Sequence, residues 1–169
     1  MNNNLIELKK KGKILLREGC ALIDTSNRTK DLDRRSVLAL SSNKINFTAS
    51  MTSSEKRNIF GKLRQKYSED RTYAIMHSVK LYYALHNKII LLPCIYICGE
   101  GLDIGLVKQH LQTLLNIEYN ENKIKFLPSL KPMFGKKNIA HELARKVRRK
   151  KQKPTIEIEE KDFKKLKLV

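Results

Sequence analysis

Ile89 to Leu115 reads IILLPCIYICGEGLDIGLVKQHLQTLL. An apolar run of strand-forming residues reaches Cys98, glycines punctuate a turn, and Leu106, Val107, His110, Leu111, Leu114 and Leu115 then recur at helical spacing. The pattern is that of a buried strand feeding a helix, the central unit of an α/β sheet. In open sheets of this kind ligands sit in the crevice at the carboxyl ends of the strands. Here that end carries Glu100 and Asp103, so the rest of the chain is read for groups that converge on them.

Upstream, residues 1–18 are compatible with a short helix or the first arm of a hairpin. Gly19 to Asp24, GCALID, reads as a strand entering a polar turn. SVLALS and KINFTAS are two strand-like runs joined at Ser41, Ser42 and Asn43, and a hairpin is the simplest reading. Thr52 with Glu55 three residues later opens a helix bearing Ile59, Phe60, Leu63 and Tyr67 on one face. A second start at Ser68, Glu69 and Asp70 leads into a helix with a broad apolar stripe from Ala74 to Leu85. Downstream, KIKFL (123–127) is a short strand and 128–137 a loop. Asn138 to Lys151 is helical, with Ile139, Ala140, Leu143, Ala144 and Val147 directed inward. The order predicts an α/β class protein, a mixed sheet flanked by helices in a single domain over 1–153. Residues 154–169 add a short strand and a lysine-rich tail.

With 35 Lys and Arg against 17 Asp and Glu, the formal charge is +18. This exceeds what solubility asks for and points to a polyanionic partner, nucleic acid before membrane. No stretch of about 18 uncharged apolar residues is present, and the first residues lack the pattern of a secretory signal, so a cytoplasmic protein is expected. Cys20, Cys94 and Cys98 lack the close turn pairs of metal knuckles. All three read as small buried hydrophobes, with no disulfide-linked partner.

Asp24, at the end of the first strand, and Asp103, beyond the later one, emerge at one sheet edge if those strands are parallel neighbours. Glu69 and Asp70 begin the helix leading into the second. Carboxylates gathered in this way hold magnesium or manganese, and two such ions can clamp a phosphodiester. The local alternatives are an N-cap for Asp103, a helix start for Glu69 and Asp70, and an Asx turn for Asp24. The four histidines show no metal-binding spacing.

Three places resemble the ribonuclease H-like superfamily: Ile23-Asp24-Thr25-Ser26, Asp103-Ile104-Gly105-Leu106-Val107, and Asn138-Ile139-Ala140-His141-Glu142-Leu143-Ala144-Arg145. The resemblance covers roughly residues 19–150. It implies a metal-dependent nuclease acting on RNA–DNA hybrids or structured nucleic acid. Asp24, Asp70, Asp103 and His141 would form the catalytic set, and Asp24, Glu69 and Asp103 would be ligands to Mg2+ or Mn2+. Ala74 stands where the family's helix acid is expected. That feature favours the alternatives, a catalytically inactive nucleic-acid-binding module or a structural ribonucleoprotein or viral component on the same fold.

The basic residues speak independently of the resemblance. Lys136, Lys137, Arg145, Lys146, Arg148, Arg149, Lys150, Lys151 and Lys153 face only Glu142 in opposition. A solvated helix face ordinarily mixes signs. This segment is therefore the expected nucleic-acid contact, through backbone charge and shape.

Overall fold

A computed structural model of the chain describes residues 3–99, 101–135 and 138–169, without the side chains of Asn3 and Leu5. Its centre is a sheet of β1 (Ala21–Ser26), β2 (Ser36–Ser41), β3 (Asn46–Met51), β4 (Ile95–Cys98), β5 (Ile124–Leu127) and β6 (Ile156–Glu157). The order across the sheet is β5-β4-β1-β2-β3-β6. The expected hairpin is the antiparallel pair β2/β3, and β1 is antiparallel to β2. β4 runs parallel to β1 with Ala21 opposite Ile95 and Ile23 opposite Ile97, β5 parallel to β4, and β6 parallel to β3. This is the mixed α/β sheet expected, with the strand of Asp24 beside the strand of Cys98.

Helices cover both faces, which is why β2 is buried at every position. On one face Ala21, Ile23, Leu38, Leu40, Ala49 and Met51 form the larger core. They pack with α2 (Ser53–Arg64), α3 (Glu69–Leu85) and α4 (Ile104–Leu115). α3 is buried around most of its circumference because it lies between the sheet and its neighbours; its Ser78 hydroxyl donates to the Val107 carbonyl of α4 at 3.1 Å. On the other face Cys20, Leu22 and Tyr96 meet α1 (Asn3–Arg17) and α5 (Lys131–Phe134). There Val37 and Ala39 pack against Ala144 and Val147 of α6 (Ile139–Arg148). The ambiguous N-terminus is thus a helix, and it comes so near α5 that a Cβ on Gly12 would sit 2.2 Å from the Met133 carbonyl oxygen.

Several expectations are corrected. The apolar run from Ile89 is not continuous strand: Ile89–Leu91 is a 3-10 turn with Ile90 and Leu91 exposed, and β4 begins only at Ile95. Pro93 has no N–H for a ladder, so pairing starts beyond it. Cys20 and Cys94 are not independent buried thiols but a disulfide with Cα atoms 4.7 Å apart. They precede Ala21 and Ile95, which are paired in register, so the parallel pairing of β1 and β4 sets them face to face. Cys98 takes no part in this disulfide.

On α6, Ile139 is 44% exposed and the inward face is Ala140, Ala144 and Val147. The C-terminal residues extend the core rather than trail from it. After β6, Ile158 is buried, and α7 (Glu160–Lys165) buries Phe163 in the larger core. Glu160 gathers Lys164, Lys62 and Asn58, whose hydrogen bonds hold its carboxyl down to about 2. Among the described residues, no helix is long and apolar enough to cross a membrane.

Candidate nucleic-acid interface

Asp24 lies on the side of β1 that faces α6. Its Oδ1 accepts the Thr25 N–H at 2.8 Å, and its Oδ2 accepts a hydrogen bond from Asn138 Nδ2 at 2.9 Å, with His141 Nδ1 3.5 Å away. Asn138 is the N-cap of α6, its Oδ1 accepting the His141 N–H at 2.9 Å. One buried amide therefore satisfies an orphan donor of the helix with its oxygen and binds the strand's carboxylate with its nitrogen. Two residues further along β1, the Ser26 hydroxyl accepts from Arg148 Nε at 2.7 Å. These contacts hold the start and the end of α6 against β1, with Ala140, Ala144 and Val147 buried beneath them.

Beside Asp24 opens a cleft of about 380 Å³ at the carboxyl ends of the three parallel strands β1, β4 and β5. Asp24, Arg28, Cys98, Leu130, Lys131 and His141 are among its walls. The flank of α6 running away from it carries Arg145 and Arg148 at one helical turn's spacing after His141. Lys146, Arg149, Lys150, Lys151 and Lys153 then present a surface of one sign. Arg145 lies 3.3 Å from Glu142. No carboxylate among the described residues lies within ion-pair distance of Lys146, Arg149, Lys150, Lys151 or Lys153.

Of the residues singled out from sequence, Asp24 and His141 are brought together and the other acids are not. Asp103 caps α4, accepting the Leu106 N–H at 3.1 Å. Asp70 is exposed in the first turn of α3 and pairs with Lys30 at 3.1 Å; Glu69 is exposed beside it. Both helices pack into the larger core on the sheet face opposite α6, and none of the three acids lines the cleft beside Asp24. Glu100, Lys136 and Lys137 lie outside the described residues. Among the described residues, no group of three or more His, Cys, Asp or Glu side chains is arranged to hold a metal ion.

The remaining histidines serve structure. His77 is buried against the Thr29 hydroxyl at 3.3 Å, and burial, then Lys80, pushes its pKa well down. Burial, then Arg71, also lowers that of His110. His86 stacks on Tyr82 and pairs with Glu118 at 3.0 Å.

Sequence reasoning passed over Asn138 as a site residue, although its position before the apolar period of α6 marks it as a cap. It also passed over Arg28 and Lys131. Arg28 stands four residues after Asp24, a local hint. Nothing local marks Lys131, whose place on the cleft depends on β5 joining β4. In comparisons with protein-family models, curated proteins and solved structures, nothing matches this chain.

Proposed function

We propose that this protein binds nucleic acid through backbone charge and shape, on a ribonuclease H-like fold. One observation carries the reading: on α6, whose start borders the Asp24 cleft, and just after it, Lys146, Arg149, Lys150, Lys151 and Lys153 are exposed and have no carboxylate within ion-pair distance among the described residues. An exposed lysine or arginine flank without acidic partners costs self-repulsion unless phosphates neutralise it. The fold assignment is supported by the order β3-β2-β1-β4-β5, with antiparallel strands first and parallel strands after. It is supported also by Asp24, on β1 two residues before the strand ends, meeting the His141 end of the last large helix.

The metal-dependent nuclease reading requires carboxylates that converge on an ion. The described residues do not fit a two-ion site: Asp24 stands in the cleft without Asp70, Glu69 or Asp103. Binding is therefore the function these residues support. Cleavage of a labelled hybrid in magnesium or manganese by the unmodified protein, abolished in Asp24→Asn, would reinstate the nuclease.

The binding experiment uses fluorescence anisotropy with labelled RNA–DNA hybrid, duplex and single strand across a salt series. Lys146, Arg149 and Lys151 are exposed and have no ion-pair partner among the described residues, so replacing all three with Gln removes charge without removing a described contact. The logarithm of affinity falls against the logarithm of salt by about 0.7 to 0.9 per phosphate contact. The triple variant should flatten that slope by about 2 to 3 on the same basis. Unchanged affinity and slope would remove α6 from the interface.

A further inference from the structure

The cleft beside α6 divides its lining in a way that a surface for continuous backbone does not need. Arg28 and Lys131 stand on it with no carboxylate within ion-pair distance among the described residues. Pro128, Leu130 and Cys98 supply apolar wall, and Gly101, at φ +73°, leaves bare backbone there. The single described carboxylate, Asp24, is already engaged through both oxygens by Thr25 and Asn138, and His141 stands close to the second. Its charge is thus partly met from within, while the two cations have no carboxylate partner among the described residues. The volume, about 380 Å³, lies at the small end of the roughly 300 to 1,000 Å³ that small-molecule pockets occupy.

We infer that this cleft is a nucleotide subsite, taking one nucleotide of a bound strand with its phosphate on Arg28 and Lys131 and its sugar and base against Pro128, Leu130 and Cys98. The inference rests on the nucleic-acid reading and deepens it: α6 holds the strand by charge alone, whereas the cleft holds one unit of it by charge and shape. The ligand class is a nucleoside monophosphate. A guanidinium fork matches phosphate oxygens in pairs, and lysine adds a point charge. The apolar wall offers contact to a base or sugar that inorganic phosphate lacks. The position, outside the carboxyl ends of parallel strands, is where open α/β sheets collect ligands.

The test is a titration followed by amide chemical shifts, in EDTA, with the common nucleoside 5′-monophosphates, the matching nucleosides and inorganic phosphate. Saturable binding of at least one monophosphate is expected, with shifts at residues 24–28, 98–99 and 128–131. The nucleoside and phosphate alone should each bind at least about tenfold more weakly, since each lacks one half of the site. Arg28→Gln with Lys131→Gln should lower monophosphate affinity by about tenfold or more, and both side chains are exposed, so the fold is retained. The Lys146, Arg149 and Lys151 triple variant should leave monophosphate affinity unchanged.

Equal binding of phosphate and monophosphate, or undiminished affinity in the Arg28 and Lys131 double variant, would overturn the subsite. Failure of every monophosphate to bind, while the hybrid still binds the unmodified protein with its salt dependence, would overturn the subsite and leave the nucleic-acid reading standing. Absence of hybrid, duplex and single-strand binding would overturn that reading itself.

Discussion

Asn138 is the residue through which helix formation and the cleft are coupled, and its two roles can be separated by substitution. Its oxygen caps α6 and its nitrogen donates to Asp24, from a side chain that is 5% exposed. Loss of an N-cap costs about 1 kcal/mol. A hydrogen bond to a charged group is worth about 1.5 to 3 kcal/mol; the lower end applies because Asp24 keeps the Thr25 N–H and some solvent. Asn138→Ala removes both, about 2.5 kcal/mol together, whereas Asn138→Ser keeps a capping oxygen and loses only the link to Asp24, about 1.5 kcal/mol. At roughly 2 to 4 °C per kcal/mol for a chain of this length, Tm should fall by about 5 to 10 °C for the alanine and about 3 to 6 °C for the serine.

Asn138→Asp keeps the cap but sets a carboxylate against Asp24. Repulsion raises the pKa of the pair above the unfolded value of about 3.9. A raised folded pKa means that stability is present at low pH and is lost as pH rises through that value, so the aspartate variant should recover toward the parent on acidification. The assay is thermal unfolding by circular dichroism at pH 7 and at pH 4.5. A serine variant as stable as the parent would show that the amide–carboxylate link contributes nothing and would refute the coupling.

Three other perturbations test other parts of the molecule. Reduction of Cys20–Cys94, which spans a sequence separation of 74, should lower stability by about 4 kcal/mol on the chain-entropy account. A Tm that ignores reductant would contradict it. Gly12→Ala forces a Cβ against the Met133 carbonyl and should cost about 1 to 3 kcal/mol as α1 is pushed off α5, readable as a lower denaturation midpoint at constant m-value. Burial keeps His77 neutral, so the unfolded chain binds its proton first as pH falls below about 6.5. This group's stability is present above that pH and is lost below it, by about 1.4 kcal/mol per pH unit while the folded histidine stays neutral. His77→Gln should flatten the fall in Tm between pH 7 and 5, and an unchanged pH profile would exclude His77 as its source.

What the chain determined by itself was local. The apolar runs of β1 and β4, the hairpin of β2 and β3, the cap at Thr52, the broad apolar stripe of α3 and the single-sign segment after Glu142 each depend on residues within a few positions of one another. Backbone periodicity and capping chemistry act over that range, so they are legible without coordinates. The site was legible in part, because Asp24 follows an apolar run, although the strand continues past it to Ser26, and His141 lies in the first turn of an amphipathic helix.

Their meeting was decided by tertiary structure. Asn138 reaches Asp24 across 114 residues, Cys20 finds Cys94 only through the register of Ala21 with Ile95, and Lys131 joins the cleft because β5 extends the sheet beyond β4. Asp103 and Asp70 are engaged locally instead, one capping α4 and the other paired with Lys30. The helices that begin with them bury their apolar faces on the opposite side of the sheet, and the free energy of that burial sets where each acid lies.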